Sequence, residues 1–186
     1  EGMRADELEA QHRLNPLHGV FLMPSCCNPT TVMISERRKK ELAAVITKHR
    51  LILIEDDIHA FFTAGIVPGY QGPLSRFAPE QTVYLSGTSK PICSGLRVAY
   101  MAFPDRFRAQ LLKAVFNVNV KTSSLDAEII TQLILSGRAQ QIVERKRRLA
   151  EQANALFDQY FPGMAPAGHP LSFYRWLPIG DERPGA

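Results

Sequence analysis

The sequence predicts an α/β fold with a largely parallel sheet. Two observations carry that expectation. The first is the order of elements: a short apolar run, an amphipathic stretch, a second run, a long loop, two further runs and then helices. The second is that polar residues able to meet a ligand follow the ends of the runs: Asn28 after the first, Asp56 after the second, Ser89 and Lys90 after the third. Open parallel sheets hold their ligands beyond the carboxyl ends of the strands. At 186 residues the chain is long enough for one sizeable core, or for one domain and part of a second.

Each element has its own signal. Residues 5–13 read as a helix leading into a Pro-containing link. Gly19 to Met23 is an apolar run stopped by Pro24 and reads as a buried strand. Ser35 is an N-cap opening a helix whose stripe is Leu42, Val45 and Ile46. Leu51 to Ile54 is a second buried strand that breaks off in Glu55-Asp56-Asp57. Residues 60–79, rich in Gly and Pro, form a long loop with room for a helical turn, and loops of that length are often functional. Strands follow at 82–85 and 97–102, then helices near 104–118, 124–135 and 138–160. The last helix carries Ile142, Leu149 and Leu156 on its apolar side. Residues 172–177 read as one more strand.

Composition narrows the class. A hydrophobic share of 45% with 22% charged residues is that of an ordinary globular chain. No apolar run approaches the roughly 20 residues of a membrane span. The start, Glu1 to Asp6, lacks the basic and apolar stretches of a signal peptide. The net charge of +4 is concentrated in Arg37 to Lys40 and Arg145 to Arg148, which read as solvated helix faces, with nucleic-acid contact as the alternative. Cys26, Cys27 and Cys93 form neither a disulfide framework nor a zinc motif, and a reducing, cytoplasmic setting fits them.

The chemistry follows from residue types. A carboxylate at the end of a buried strand needs a donor or a cation. For Asp57 that partner can be a backbone turn; for Asp56 it can be a protonated ring nitrogen. Lys90 lies in Ser86-Gly87-Thr88-Ser89-Lys90-Pro91, where small hydroxyl residues leave room for a phosphate and donate to it. A lysine partly desolvated beside a ring can lose its proton and form a Schiff base. Arg97 offers a fork of donors to a phosphate dianion. Asn28, ahead of Pro29, suits a turn and could also donate to a phenolic oxygen.

Asn28-Pro29-Thr30-Thr31, Ile54-Glu55-Asp56-Asp57 and Ser89-Lys90 with Ser94-Gly95-Leu96-Arg97-Val98-Ala99-Tyr100 together resemble the class I/II aminotransferases of the fold type I group that depends on pyridoxal phosphate. The resemblance spans residues 1–177. It implies a three-layer α/β sandwich with a mostly parallel sheet, formed in part by residues 1–136. Residues 137–186 would be the connecting helix and the start of a small α+β domain. It implies pyridoxal phosphate as cofactor, with Lys90 as the Schiff-base residue, Asp56 on the pyridine nitrogen, Asn28 on the phenolic oxygen, and Ser89 and Arg97 on the phosphate. Ser86 and Thr88 are further phosphate candidates. His59 stands where the family has a tyrosine and would titrate near neutral pH. Gly87 replaces a hydroxyl residue three positions before the lysine, and Thr31 replaces a glycine.

The Thr31 variant and the two basic helices look closer to the MocR branch of the GntR regulators, which join a winged-helix DNA-binding domain to an aminotransferase-like domain. Two functions therefore follow from the resemblance: transamination between an amino acid and a 2-oxo acid, or sensing of an amine or cofactor for a separate DNA-binding domain. A homodimer is implied in either case, and DNA would be met only through that separate domain. The family's glycine-bearing phosphate loop, its stacking aromatic and its carboxylate-binding arginine have no counterpart between Glu1 and Ala186. Arg175 is a poor substitute for the last. A fragment with weak cofactor affinity is the resulting expectation.

Overall fold

The alternating runs and helices build a four-stranded sheet in the computed structural model, which describes residues 2–164 and 168–178. β1 (Gly19–Leu22), β2 (Ile52–Asp56) and β3 (Thr82–Gly87) lie side by side and parallel. β4 (Ala99–Ala102) joins β3 antiparallel. Before and between the strands run α1 (Ala5–Leu14) and α2 (Glu36–Lys48). After them come α3 (Arg108–Asn119), α4 (Ser124–Leu135) and α5 (Arg138–Tyr160).

The Ser35 side chain accepts the Arg38 N–H and caps α2, as its position in the sequence predicts. The stripe it starts is the centre of the core. Leu42 and Ile46 are fully buried and pack with Leu8 of α1, Leu22 of β1, Leu53 of β2, and Leu51 and Leu74. Each such side chain removed from water contributes about 1.5–3 kcal/mol.

The main apolar cluster lies on one face of the sheet. Strand alternation sends Leu22, Leu53 and Glu55 toward α1 and α2, and Phe21, Ile52 and Ile54 to the other side, where they are 55%, 39% and 39% exposed. The expectation of strands buried on both faces is thus corrected. An unbroken apolar run fits a covered sheet, and among the described residues these three are left open.

Two polar networks fix the long loop after β2, which contains 3-10 turns at Ala60–Phe62, Leu74–Arg76 and Pro79–Gln81. Glu55, fully buried, accepts the Leu74 and Ser75 N–H groups, each at 2.7 Å. Lys39, only 1% exposed, donates to Glu36 and to the Gly72 carbonyl, each at 2.7 Å, and sits 4.4 Å from the Tyr70 ring centroid. The basic run at 37–40 is therefore not wholly a solvated face, because one of its cations is built into the loop.

The end of the chain departs from its sequence reading in two ways. α5 turns Ala150 and Asn154 inward and leaves Leu149 and Leu156 each 55% exposed. The face that packs meets backbone carbonyls, so polar side chains hold it. Asn154 Nδ2 donates to the Pro170 and Ser172 carbonyls at 2.9 and 3.2 Å. The strand expected at 172–177 does not form. Its carbonyl at Ser172 goes to Asn154, and the Ser172 hydroxyl accepts the Tyr174 N–H, so side chains take the place of a strand ladder.

Candidate functional site

Asn28, Asp56 and Lys90 lie at or beyond the carboxyl ends of β1, β2 and β3, and β2 sorts its carboxylates by parity. Glu55 and Asp57 are buried; Asp56, between them, lies on the face of Ile52 and Ile54 and is half-buried. Asp57 is not a turn cap. Its Oδ2 accepts the Tyr84 hydroxyl at 3.0 Å, and burial pushes its carboxyl up. Asp56 accepts only the Ile58 N–H, at 3.3 Å through Oδ1, among the bonds described for it.

His59 follows in the same turn and is 3% exposed. Its ring lies edge-on to Tyr174, with centroids 5.7 Å apart, and parallel to Phe62 at 6.4 Å. Both ring nitrogens are buried without a hydrogen-bond partner among the described residues. Burial depresses its pKa. The charge of Lys90 pushes the same way, whereas the nearby Cys26 backbone and the charge of Asp56 oppose it. Lys90 and Asp56 thus act on one imidazole with opposite charge. An orphaned buried imidazole costs free energy unless another group meets it.

Lys90 is exposed at the tip of the loop after β3, and Ser89 before it is half-buried. The loop is tied at its base by Thr88, whose N–H and hydroxyl both donate to the Val98 carbonyl, at 3.1 and 2.7 Å. Thr88 accordingly commits its hydroxyl proton to the loop, not to a ligand. Ser86 faces the core side with Tyr84, because Leu85 is the residue in register with Asp56. Gly87 has a local reason: a Cβ there would lie 3.1 Å from Ile58 Cγ2. Arg97 is exposed, with φ of 51° in the left-handed region.

Asn28, exposed after β1, precedes Pro29 through a cis peptide bond. Thr31, with φ of 60°, occupies a conformation that favours glycine. Its carbonyl accepts the His169 N–H at 2.8 Å.

Sequence reasoning missed the cations that hold these loops. Lys146 donates to the Lys90 and Ile92 carbonyls at 2.7 and 2.9 Å, and Arg147 Nε donates to the Phe61 carbonyl at 2.8 Å. By its residues alone the run 145–148 reads as solvated. Its inward pair becomes visible only once the packing face of α5 is known.

The aminotransferase class I and II family matches residues 2–175. The chain belongs to that family. The HTH-type transcriptional regulator YdeF of Bacillus subtilis is 29% identical over 184 residues, which is 99% of this chain and 39% of the regulator. The 2-aminoadipate transaminase of Thermus thermophilus is 25% identical over 159 residues, covering 84% of this chain and 40% of the enzyme. In structure, the chain is similar to an α-aminoadipate aminotransferase from Thermus thermophilus complexed with N-(5'-phosphopyridoxyl)-L-leucine. The TM-score is 0.74 at 25% identity, over 91% of this chain and 45% of that one. A Thermus thermophilus aspartate aminotransferase shares the fold at TM-score 0.72 and 16% identity, over 90% of this chain and 44% of the enzyme.

The chain thus spans about two fifths of the length of the first relatives it matches. The architecture is the three-layer α/β sandwich of the aminotransferase large domain, with its mostly parallel open sheet, and is present in part. Among the described residues no helix is long and apolar enough to cross a membrane.

Proposed function

We infer that this chain is the cofactor-holding part of an aminotransferase-type protein that binds pyridoxal phosphate and exchanges an amino group between an amino acid and a 2-oxo acid. The observation that carries the reading is the buried, unpartnered His59, placed in the fields of both Lys90 and Asp56 at the carboxyl ends of the parallel strands. A free amine, a carboxylate with an oxygen to spare and an imidazole lacking a partner make a donor set suited to an aldehyde-bearing, protonatable pyridine.

When bound, pyridoxal phosphate supplies an aldehyde for a lysine amine and a ring that withdraws electrons. The residues divide the rest of the work. Lys90 provides the amine and afterwards moves protons at the reacting carbon as base and acid. Asp56 keeps the ring nitrogen protonated. His59 and Asn28 meet the phenolic oxygen, and Ser89 and Arg97 bind the phosphate. Ser86 is a further phosphate candidate, while Thr88 ties the loop to Val98. Residues 1–136 form the cofactor-holding unit, and residues 137–186 hold the connecting helix and the start of a second unit.

The experiment is reduction of the whole protein with borohydride after incubation with pyridoxal phosphate, followed by peptide mass analysis. Added phosphopyridoxyl mass at Lys90, lost in Lys90→Ala, is the expected result; mass elsewhere or nowhere rejects the reading. A change in cofactor absorbance on adding amino acids tests transamination separately.

A second reading is a regulator whose pyridoxal-phosphate domain senses an amine or the cofactor. It is favoured by YdeF and by the HTH-type transcriptional regulator YjiR of Escherichia coli, 25% identical over 97% of this chain. The coding sequence upstream of Glu1 separates the two. A winged helix there supports the regulator, in which that domain alone would meet DNA. In either reading the protein is a cytoplasmic homodimer, which sedimentation of the whole protein and cell fractionation test.

A further inference from the structure

We propose that Lys146 is a positioning residue for Lys90, holding the reactive lysine's own carbonyl from α5. The ammonium donates to the Lys90 carbonyl at 2.7 Å and to the Ile92 carbonyl at 2.9 Å, so one side chain closes the loop around its tip. At the other end of that loop the Ile92 and Cys93 N–H groups both donate to the Thr88 carbonyl, at 2.9 and 3.1 Å. Without Lys146, the carbonyls of Lys90 and Ile92 lose a charge-assisted donor, and the exposed Lys90 stem is fixed only from the Thr88 side. Lys146 is half-buried, and burial lowers its pKa with the Lys90 charge acting in the same sense. The two cations are therefore near enough to act on one another.

The adjacent Arg147 makes a parallel attachment to the other loop. Its guanidinium donates to the Phe61 carbonyl, two residues beyond His59. Consecutive side chains of one helix thus register the loop of Lys90 against the turn of Asp56 and His59. The inference rests on Lys90 being the reactive amine, and it is tested without the cofactor so that the two can fail separately.

The test is competitive acylation of the cofactor-free whole protein with acetic anhydride. The Lys90 rate is read by mass spectrometry against exposed Lys113. In Lys146→Met the Lys90-to-Lys113 rate ratio is expected to change about threefold or more once the loop loses its charge-assisted donor. Lys146→Arg, which keeps the charge and the donors, is expected to restore it. Arg147→Met is the control for loosening of α5: it should lower the melting temperature and leave the Lys90 ratio unchanged. Should Lys146→Met fail to fold, Lys146→Leu, which likewise has no N–H donor, is read the same way.

An unchanged ratio in folded Lys146→Met or Lys146→Leu overturns the proposal. So does an equal change in Arg147→Met, or no recovery in Lys146→Arg. Phosphopyridoxyl capture at Lys90 can succeed or fail independently of all of these.

Discussion

His169 and Glu55 are two buried titratable groups on which burial makes opposite demands of pH. His169 is fully buried; its Nδ1 accepts the Leu171 N–H at 3.1 Å, so Nε2 carries the proton toward the Thr63 hydroxyl at 2.9 Å. That arrangement exists only for the neutral ring, and burial lowers its pKa from 6.5 to about 4. Between those values the unfolded chain binds more protons than the folded one. The His169 contribution is therefore present above pH 6.5 and fades as pH falls toward 4. Burial pushes the Glu55 carboxyl the other way, from 4.5 to about 7, against the pull of its two N–H donors. Its contribution is present below pH 4.5 and fades as pH rises toward 7. Removing one group should expose the slope of the other. In His169→Asn, stability measured by urea titration is expected to fall more steeply with rising pH across pH 4–6.5 than in the parent. A slope equal to the parent's would mean that the ring is not held neutral. Glu55→Ala leaves the Leu74 and Ser75 N–H groups without their acceptor, and is expected to cost about 2–4 kcal/mol in the same assay.

Elements are held as much by side chains reaching backbone as by apolar stripes. α2 follows the usual pattern, with a serine cap and a leucine-isoleucine stripe, and both were legible in the sequence. Ser35→Ala is expected to destabilise the fold by about 1 kcal/mol, read as a lowered denaturation midpoint with an unchanged slope. α5 was legible in its extent but not in its orientation. A helix with leucines on one side and Lys146, Arg147 and Asn154 on another does not announce that the polar side faces inward. That side won because the loops it meets present carbonyls, which arginine, lysine and asparagine satisfy and leucine does not. Asn154→Ala is expected to release the segment around residues 168–174, which hydrogen exchange would report as faster exchange there with the sheet amides unaffected. Uniform acceleration across the chain would show that the contact serves global stability instead.

At the scale of the molecule the sheet has one packed face and one open one. Phe21, Ile54 and Met101 are respectively 55%, 39% and 40% exposed on the side that also carries Asp56. Open apolar surface of this kind binds hydrophobic dyes and drives association. These residues as an isolated chain are expected to enhance the fluorescence of anilinonaphthalene sulfonate, and Phe21→Thr with Ile54→Thr to reduce that signal by half or more. Equal fluorescence in parent and variant would place the dye elsewhere.

The sequence by itself determined the order of elements and the helix cap at Ser35, and it set Asp56, His59 and Lys90 at or just beyond the ends of apolar runs. Each of these is written in local spacing: short apolar runs, a capping hydroxyl, polar residues at strand ends. Only the tertiary structure decided that Asp56 and its neighbours Glu55 and Asp57 part company across the sheet, that His59 is buried with no hydrogen-bond partner among the described residues, and that Lys146 reaches the Lys90 carbonyl. Those outcomes depend on which face of a strand or helix is covered, and on contacts between residues as far apart as Lys90 and Lys146. Local pattern does not encode such distances; packing supplies them.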